Sequence, residues 1–466
     1  MKAAFTSFIV LASCLSNVPA AFSQGQTALA ADFEREGAAV RDECFKHPQV
    51  GCAATLLTDH PVHLAVGTIA PGNGVAFGPA FVWHKTPSET WRLTGSADAV
   101  RALGGAWRAG AYTNIIRTAL DDQHSRACER LVPGRDVFPV VALYAQSTSL
   151  PQVSYFGIGP DTTANQKTFF GLRETTIGAR GVCLLPADSV WGRLRVSLTG
   201  EANGRFVAIR PGPSGSVPSL DQRYTDATAP GLSGQPNVVQ FGEGIRLTPS
   251  ISNGRVNLNY LVSYEQFRAG GTSDFQRWSV DLRHEIPIFG TSVPTAKDTN
   301  DPNACAIGPT TPTLCPPITS RNLSGSLTLR GFLSKSVVSG ANAVPFYFQH
   351  TLGGSDLDGE RILASYDDYR FRGPHLVLFQ EWFEHALVRR FPIGIVIAAD
   401  QGKVFGQNDP VDFHGFRHTI AVGASLRAGG LPMALLTYAT GGPEGHHVAI
   451  TVSPTLLGGS SRPSLQ

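Results

Sequence analysis

The sequence predicts an all-β protein, a transmembrane antiparallel β-barrel of about 16 strands. Three observations predict it: a secretory start with no long apolar helix behind it, a composition rich in glycine and poor in charge, and period-two alternation along most of the chain.

The start comes first. Met1-Lys2 precedes an apolar stretch from Ala3 to Leu15, and Val18-Pro19-Ala20-Ala21-Phe22-Ser23 precedes polar Gln24. A positive beginning, a brief apolar core and small residues make a signal peptide, assigned to 1–23, too short to span a bilayer as a helix. Leu11-Ala12-Ser13-Cys14 also fits the pattern before a lipid-modified cysteine, so lipidation of Cys14 stays an open alternative. Beyond the signal no window approaches the roughly 18 apolar residues of a membrane helix, so the chain is soluble or crosses as strands.

Composition favours strands. The chain has 50 Gly, 26 Phe, 2 Met and 16% charged residues, the last well below the roughly 25% of soluble domains. A net charge of +2 argues against a nucleic-acid partner. Six cysteines remain beside Cys14, and an even number in an exported chain points to disulfides. Cys44 with Cys52 and Cys305 with Cys315 are the close pairs, leaving Cys128 with Cys183; other connectivities stay open. No Cys-x-x-Cys or His-x-x-x-His spacing suggests a metal, and no cofactor is expected.

Alternation carries the fold. Val256, Leu258, Tyr260, Val262 and Tyr264 alternate with Arg255, Asn257, Asn259, Ser263 and Glu265. Trp278, Val280, Leu282 and Ile286 alternate with Arg277, Ser279, Asp281, Arg283 and Glu285. A soluble sandwich would alternate too, but these segments reach ten or more residues, the length of a tilted membrane strand. Aromatics at segment ends (Phe81 and Trp83, Tyr155 and Phe156, Phe346 to Phe348) are read as an interfacial girdle. Backbone amides cannot stay unpaired in hydrocarbon, so the sheet must close. About 16 segments are counted, from 75–84 to 446–457, with 343–350 among them.

Connections at 209–236, 290–320 and 351–373 are long and are expected outside or folded into the lumen. Residues 24–60 are read as a short periplasmic arm or plug, 61–457 as the barrel and 458–466 as a tail.

One stretch carries a resemblance. Pro345-Phe346-Tyr347-Phe348 leads to Leu352-Gly353-Gly354, then to Leu363-Ala364-Ser365-Tyr366-Asp367-Asp368-Tyr369-Arg370-Phe371-Arg372-Gly373, Glu381 and Asp400-Gln401-Gly402-Lys403-Val404. In order and spacing this resembles the BamA/TamA-like outer-membrane barrels, also called bacterial surface antigens. Tyr155-Phe156-Gly157-Ile158-Gly159-Pro160-Asp161, Ala229-Pro230-Gly231-Leu232 and Gly423-Ala424-Ser425-Leu426-Arg427 extend it. The resemblance implies a bacterial outer-membrane barrel with one long loop in its lumen. It implies outer-membrane lipid as surroundings, and client outer-membrane proteins or periplasmic partners. Two departures stand out. Ala364-Ser365 occupies the family's loop-tip Arg-Gly, and the last strand lacks the terminal aromatic. Periplasmic transport-associated domains have no room before the barrel, so a barrel-only relative is expected.

An inward carboxylate needs solvent or a partner, and a guanidinium offers two parallel bonds. With Ala364 unable to serve, Asp400 is expected to latch to Arg370 or Arg372, with Glu381 as a second acceptor; solvated, unpaired lumen charges are the alternative. Gly353 and Gly354 are expected to turn the chain sharply. Leu352, Tyr366, Phe371, Gly373 and Gly402 complete the loop motif. No Gly-x-Ser-x-Gly, His-Glu-x-x-His or phosphate-loop pattern appears, so His284, His385, His418, His446 and His447 are read as girdle or lumen residues and no enzyme activity is expected. A barrel that assists insertion of proteins or lipids is the leading expectation. A passive pore or surface antigen is the alternative.

Overall fold

Alternating side chains that are oily on one face and polar on the other can satisfy both faces only if the sheet curls round a polar interior. A computed structural model describes residues 62–88, 91–117, 140–184, 194–251, 256–270, 273–292, 320–354, 361–387, 393–428, 431–442 and 444–452. The strands are β1 (Val62–Thr68), β2 (Val75–Ser88), β3 (Trp91–Ala102), β4 (Trp107–Arg117), β5 (Val140–Tyr155), β6 (Thr168–Leu184), β7 (Leu194–Pro211), β8 (Val238–Ile251) and β9 (Val256–Arg268). They continue with β10 (Phe275–Ser292), β11 (Ser320–Val338), β12 (His350–Leu352), β13 (Phe371–Gly373), β14 (His375–Ala386), β15 (Ile393–Phe405), β16 (Arg417–Ala428), β17 (Leu431–Thr440) and β18 (His446–Val452).

Sixteen of these form one antiparallel sheet in chain order, with β12 and β13 set apart as a two-stranded ribbon. The predicted barrel is therefore borne out. Its faces follow the alternation: Trp278 and Val262 are about half exposed on the outside, whereas Arg277, Ser279 and Asp281 are buried within. Pairs such as Trp278 with Tyr264 pack at a tilt on that outer face, 4.4 Å between ring centroids.

Two segment assignments are corrected, and they cancel in the count. Residues 343–350 are not a membrane strand; Phe346–Phe348 form a 3-10 turn whose three aromatics are buried. The first strand, β1, lies at 62–68, where Gly67 and Ala65 weaken the oily alternation.

That missing strand also changes the loops. Antiparallel strands alternate ends, so the connections after β1, β3, β5, β7, β9, β11, β15 and β17 emerge at one end, here the loop end. The others emerge at the terminal end, where β1 begins and β18 finishes. Residues 212–237 and 339–374 belong to the loop end, but the connection from β10 to β11 belongs to the terminal end. Parity, not length, decides this, and the expectation that 290–320 lies with the other two is corrected.

Phe81 is a partly buried wall residue, but Tyr155, Phe156, Phe346, Tyr347 and Phe348 are not a lipid girdle. They fill the loop end from inside. Tyr155 meets Phe346 and Tyr224 edge-on at 5.3 and 4.8 Å, and Phe267 and Phe275 stack at 4.2 Å beside Phe348. Val344, Leu220, Ala229 and Tyr369 complete this core, which the connections from β7 to β8 and from β11 to β14 bring together.

Candidate functional site

The expected inward loop is the connection from β11 to β14. It enters with the Phe346–Phe348 turn, forms the β12 and β13 ribbon, and makes a tight bend between them. Gly353 and Gly354 have left-handed backbone, φ +116° and +63°, as the expected sharp turn requires. A Cβ on Gly353 would come within 2.6 Å of the Arg370 Cβ, so the two limbs of the bend touch. Two larger residues share the left-handed region, Leu363 at φ +51° and Tyr369 at +60°, where side chains are costly and need fixed partners.

Both residues have such partners. Leu363 N–H donates to Asp400 Oδ2 at 3.0 Å, and Tyr369 N–H donates to the Gly353 carbonyl at 3.0 Å. Asp400 also accepts from Gln380 Nε2 across β14 at 3.4 Å.

The arginines are placed elsewhere than the expected latch. Arg370 is fully buried and faces Glu444, in the connection from β17 to β18, with Nε to Oε2 2.6 Å and Nη2 to Oε1 2.5 Å. Its other bonds go to Thr162 Oγ1 at 2.8 Å and the Thr162 carbonyl at 2.6 Å, in the connection from β5 to β6. Phe156 and Phe371 flank the guanidinium at 4.9 and 4.6 Å. Arg372, also fully buried, donates to the Phe346 carbonyl at 2.7 Å and lies against Tyr155 at 5.7 Å. Burial lowers its pKa to about 10, so it remains a cation at neutral pH. Glu381 is exposed on the outward face of β14, opposite Leu329 and Ala399, and takes no part inside. Arg370, Asp400 and Arg372 thus hold the same loop through three separate contacts.

Ala364 packs against Ala398, Ala421 and Ala439, the small inward residues of β15, β16 and β17. An arginine has no space in that alanine seat. Ser365 Oγ lies 2.5 Å from Thr419 Oγ1 and donates to the Gly441 carbonyl at 2.8 Å. Tyr366 and Phe371 meet edge-on at 5.1 Å, and Leu352 lies with them in a second buried cluster. Gly373 and Gly402 allow the ribbon close to β15: added Cβ atoms would come within 2.5 Å of the Phe405 carbonyl and 3.0 Å of Leu352.

Sequence reasoning missed several contributors. Asp367 bridges His447 of β18 at 3.3 Å and Lys167 at 2.7 Å. Those two hydrogen bonds hold its carboxyl well below the ordinary carboxylate range. Arg361 makes a long contact of 3.5 Å to Thr451 of β18, and burial lowers its pKa while Asp368 and Asp400 favour its charge. Glu444 and Thr162 lie in turns far from the loop in sequence, where no local pattern marks them. The loop is docked, in sum, on the inner wall of β14 to β18.

The chain is similar in fold to solved CdiB and BamA barrels. CdiB from Escherichia coli shares 12% identity at a TM-score of 0.48, over 85% of this chain and 62% of that one. CdiB from Acinetobacter baumannii shares 10% at 0.45, over 84% and 58%. BamA from Haemophilus ducreyi lacking POTRA domains 1-3 shares 10% at 0.44, over 84% and 69%. This chain spans about three-fifths of the length of the two CdiB structures. No family model and no curated protein matches the sequence.

The remaining sequence candidates are dispersed. His284 bonds Tyr260 at 2.8 Å on the outer face, His385 stacks on Phe383, His446 stacks on Tyr438, and His418 is exposed on β16. Among the described residues no three His, Cys, Asp or Glu side chains converge as a metal would need. Cys183 has no disulfide partner among the described residues; Cys14, Cys44, Cys52, Cys128, Cys305 and Cys315 lie outside them, as do the signal, the arm and the tail.

Proposed function

We propose that this protein is a bacterial outer-membrane barrel that assists insertion or passage of client polypeptides, without catalysis of its own. The supporting observation is the seam. Among the described residues β1 and β18 end the strand order with no ladder between them, although they are neighbours. Unpaired strand edges in hydrocarbon are costly, and such an edge accepts an incoming strand by main-chain pairing. The docked loop bears on this edge directly, through His447 and Thr451 of β18 and Glu444 just before it. Undocking would release the last strand, so loop and seam act as one two-state element.

In this reading the loop end faces outward and the terminal end faces the periplasm, with lipid round the oily face. The competing reading, a passive pore or surface antigen, draws on Ala364 in its alanine seat; the aromatic core filling the loop end argues against free conduction. Liposomes carrying the purified protein are the test. They should speed insertion of a second, unfolded barrel several-fold over empty liposomes. Ion conductance with no gain in insertion would establish the competing reading instead.

A further inference from the structure

The outer wall is not oily throughout. Toward the loop end of β3 to β6 one row runs Arg101, Trp107, Ser149 and Arg173, each the ladder partner of the next. Alternation turns all four outward. Exposed Phe77, Leu143 and Ile177 share their face, whereas Val100, Arg108, Tyr144 and Leu172 at the alternate positions are buried. Arg101 and Arg173 are exposed, but Ser149 is only 4% exposed, so its neighbours close over it.

The cover is basic and aromatic. The Arg173 guanidinium lies 5.8 Å from the centre of the Trp107 ring, two strands away, and so reaches across Ser149. Arg210, exposed on the same face of β7, pairs with Gly171. A Cβ on Gly171 would stand 3.5 Å from the Arg210 Nε, so this arginine folds back over the bare glycine. Its Nη2 donates to Ser149 Oγ at 2.8 Å and to the Leu172 carbonyl at 3.4 Å. Two guanidinium groups and an indole therefore meet over one serine, with Arg101 beside the indole.

The charge of this face suits an anion. Among the described residues of β2 to β7 the carboxylates are Asp98, Glu174 and Glu201, and all three point inward, where Arg108, Arg205 and Tyr144 meet them. In the connection that follows Arg210, Asp221 bonds Ser219 and Asp226 bonds Ser233. Below the row the wall turns apolar. Phe206 and Ile177 are outward and exposed, and Ile177 lies about 13 Å down the strand from Arg173. Cations that lie against an aromatic ring above an apolar wall belong at the boundary between hydrocarbon and headgroups.

We propose that Arg101, Trp107, Arg173 and Arg210 form an external site for the phosphate monoester headgroup of a lipid in the leaflet around the loop end. A monoester presents three free oxygens and more than one negative charge, enough to serve two planar forks together. A phosphodiester presents two free oxygens and a single charge. The acyl chains of the bound lipid run down the apolar wall past Phe206 and Ile177. The site rests on the reading that lipid surrounds the oily face, and it is independent of client insertion.

The test is native mass spectrometry of the purified full-length protein, released from non-ionic micelles that contain phosphatidic acid or phosphatidylglycerol with the same acyl chains. One phosphatidic acid should be retained about tenfold more tightly than phosphatidylglycerol, the difference that one further charge-assisted pair supplies. Arg173→Gln combined with Arg210→Gln should remove that preference. Arg173→Lys, which keeps the charge but loses the fork, should fall between wild type and the double variant. Lys335→Gln, at an exposed position on β11, should bind as the wild type does, and heat-modifiable migration certifies the folding of each variant. Equal retention of the two lipids by the wild type, or an unchanged preference in the folded double variant, overturns the site. A protein that stays monodisperse without detergent overturns the lipid-facing reading together with it.

Discussion

Replacing Arg370 by Met keeps the bulk between Phe156 and Phe371 but removes the charge that meets Glu444 and Thr162. Breaking a buried ion pair by deleting one partner costs about 3 to 5 kcal/mol. The Glu444 side chain is 21% exposed and can be rehydrated, which places the loss at the lower end, about 3 kcal/mol. That is roughly a 100-fold shift of the loop toward its undocked state. Proteolysis of the folded protein in detergent reads this population when opening and closing outpace cleavage. A double-mutant cycle then assigns the partner. Arg370→Met and Glu444→Gln should couple by about 1.5 to 3 kcal/mol, and Arg370→Met and Asp400→Asn should add within about 0.5 kcal/mol. Coupling to Asp400 as strong as to Glu444 would refute the assignment of Glu444 as the partner of Arg370.

Other outcomes follow from the same dock. Because the carboxyl of Asp367 is held below its ordinary range by His447 and Lys167, its contribution is complete above the ordinary carboxylate pKa of about 4 and is lost as pH falls toward the folded value. Loop protection followed against pH should decline in acid, and Asp367→Asn should flatten that part of the profile. Gly442 has φ +67°, and an added Cβ would lie 1.8 Å from the Tyr366 hydroxyl. Gly442→Ala should therefore expose the loop to protease while leaving the heat-modifiable barrel intact, with a cost of about 1 to 3 kcal/mol from backbone strain alone. Asp400→Ala leaves the buried Leu363 amide without its carboxylate and should cost about 1 to 3 kcal/mol in the same assay. Non-reducing peptide mapping should find Cys44 with Cys52, Cys305 with Cys315, and Cys128 with Cys183. A bond from Cys305 to a cysteine outside its own connection would reject that pairing.

The barrel was legible because its signal is local and repeated. A strand such as β10 presents Trp278, Val280 and Leu282 to one side and Arg277, Ser279 and Asp281 to the other, whatever lies across the sheet. Where that signal thins, sequence no longer marks the strand. β1 carries Ala65 and Gly67 inward and is only seven residues long, too short and too little contrasted to stand out as an alternating segment. Phe346 to Phe348 pose the opposite problem. Clustered aromatics suit a membrane interface and a plug core equally, and only tertiary packing against Tyr155, Phe170 and Phe267 separates them.

The site was harder, because its bonds join residues far apart in the chain. An inward aspartate on a late strand and two arginines in a loop invite pairing on charge alone, but position within the loop decides it. Leu363 adopts a backbone that disfavours its side chain, and its amide points at the wall; a carboxylate at 400 satisfies that amide directly. Asp400 is thereby committed to the turn, and Ala364 next to it can be small, since an alanine seat on β15 to β17 receives it. The guanidinium of Arg370 is then free to bind the opposite limb of the dock, where Glu444 precedes β18. Charge that would have fixed the loop to β15 instead fixes it to the border of the seam.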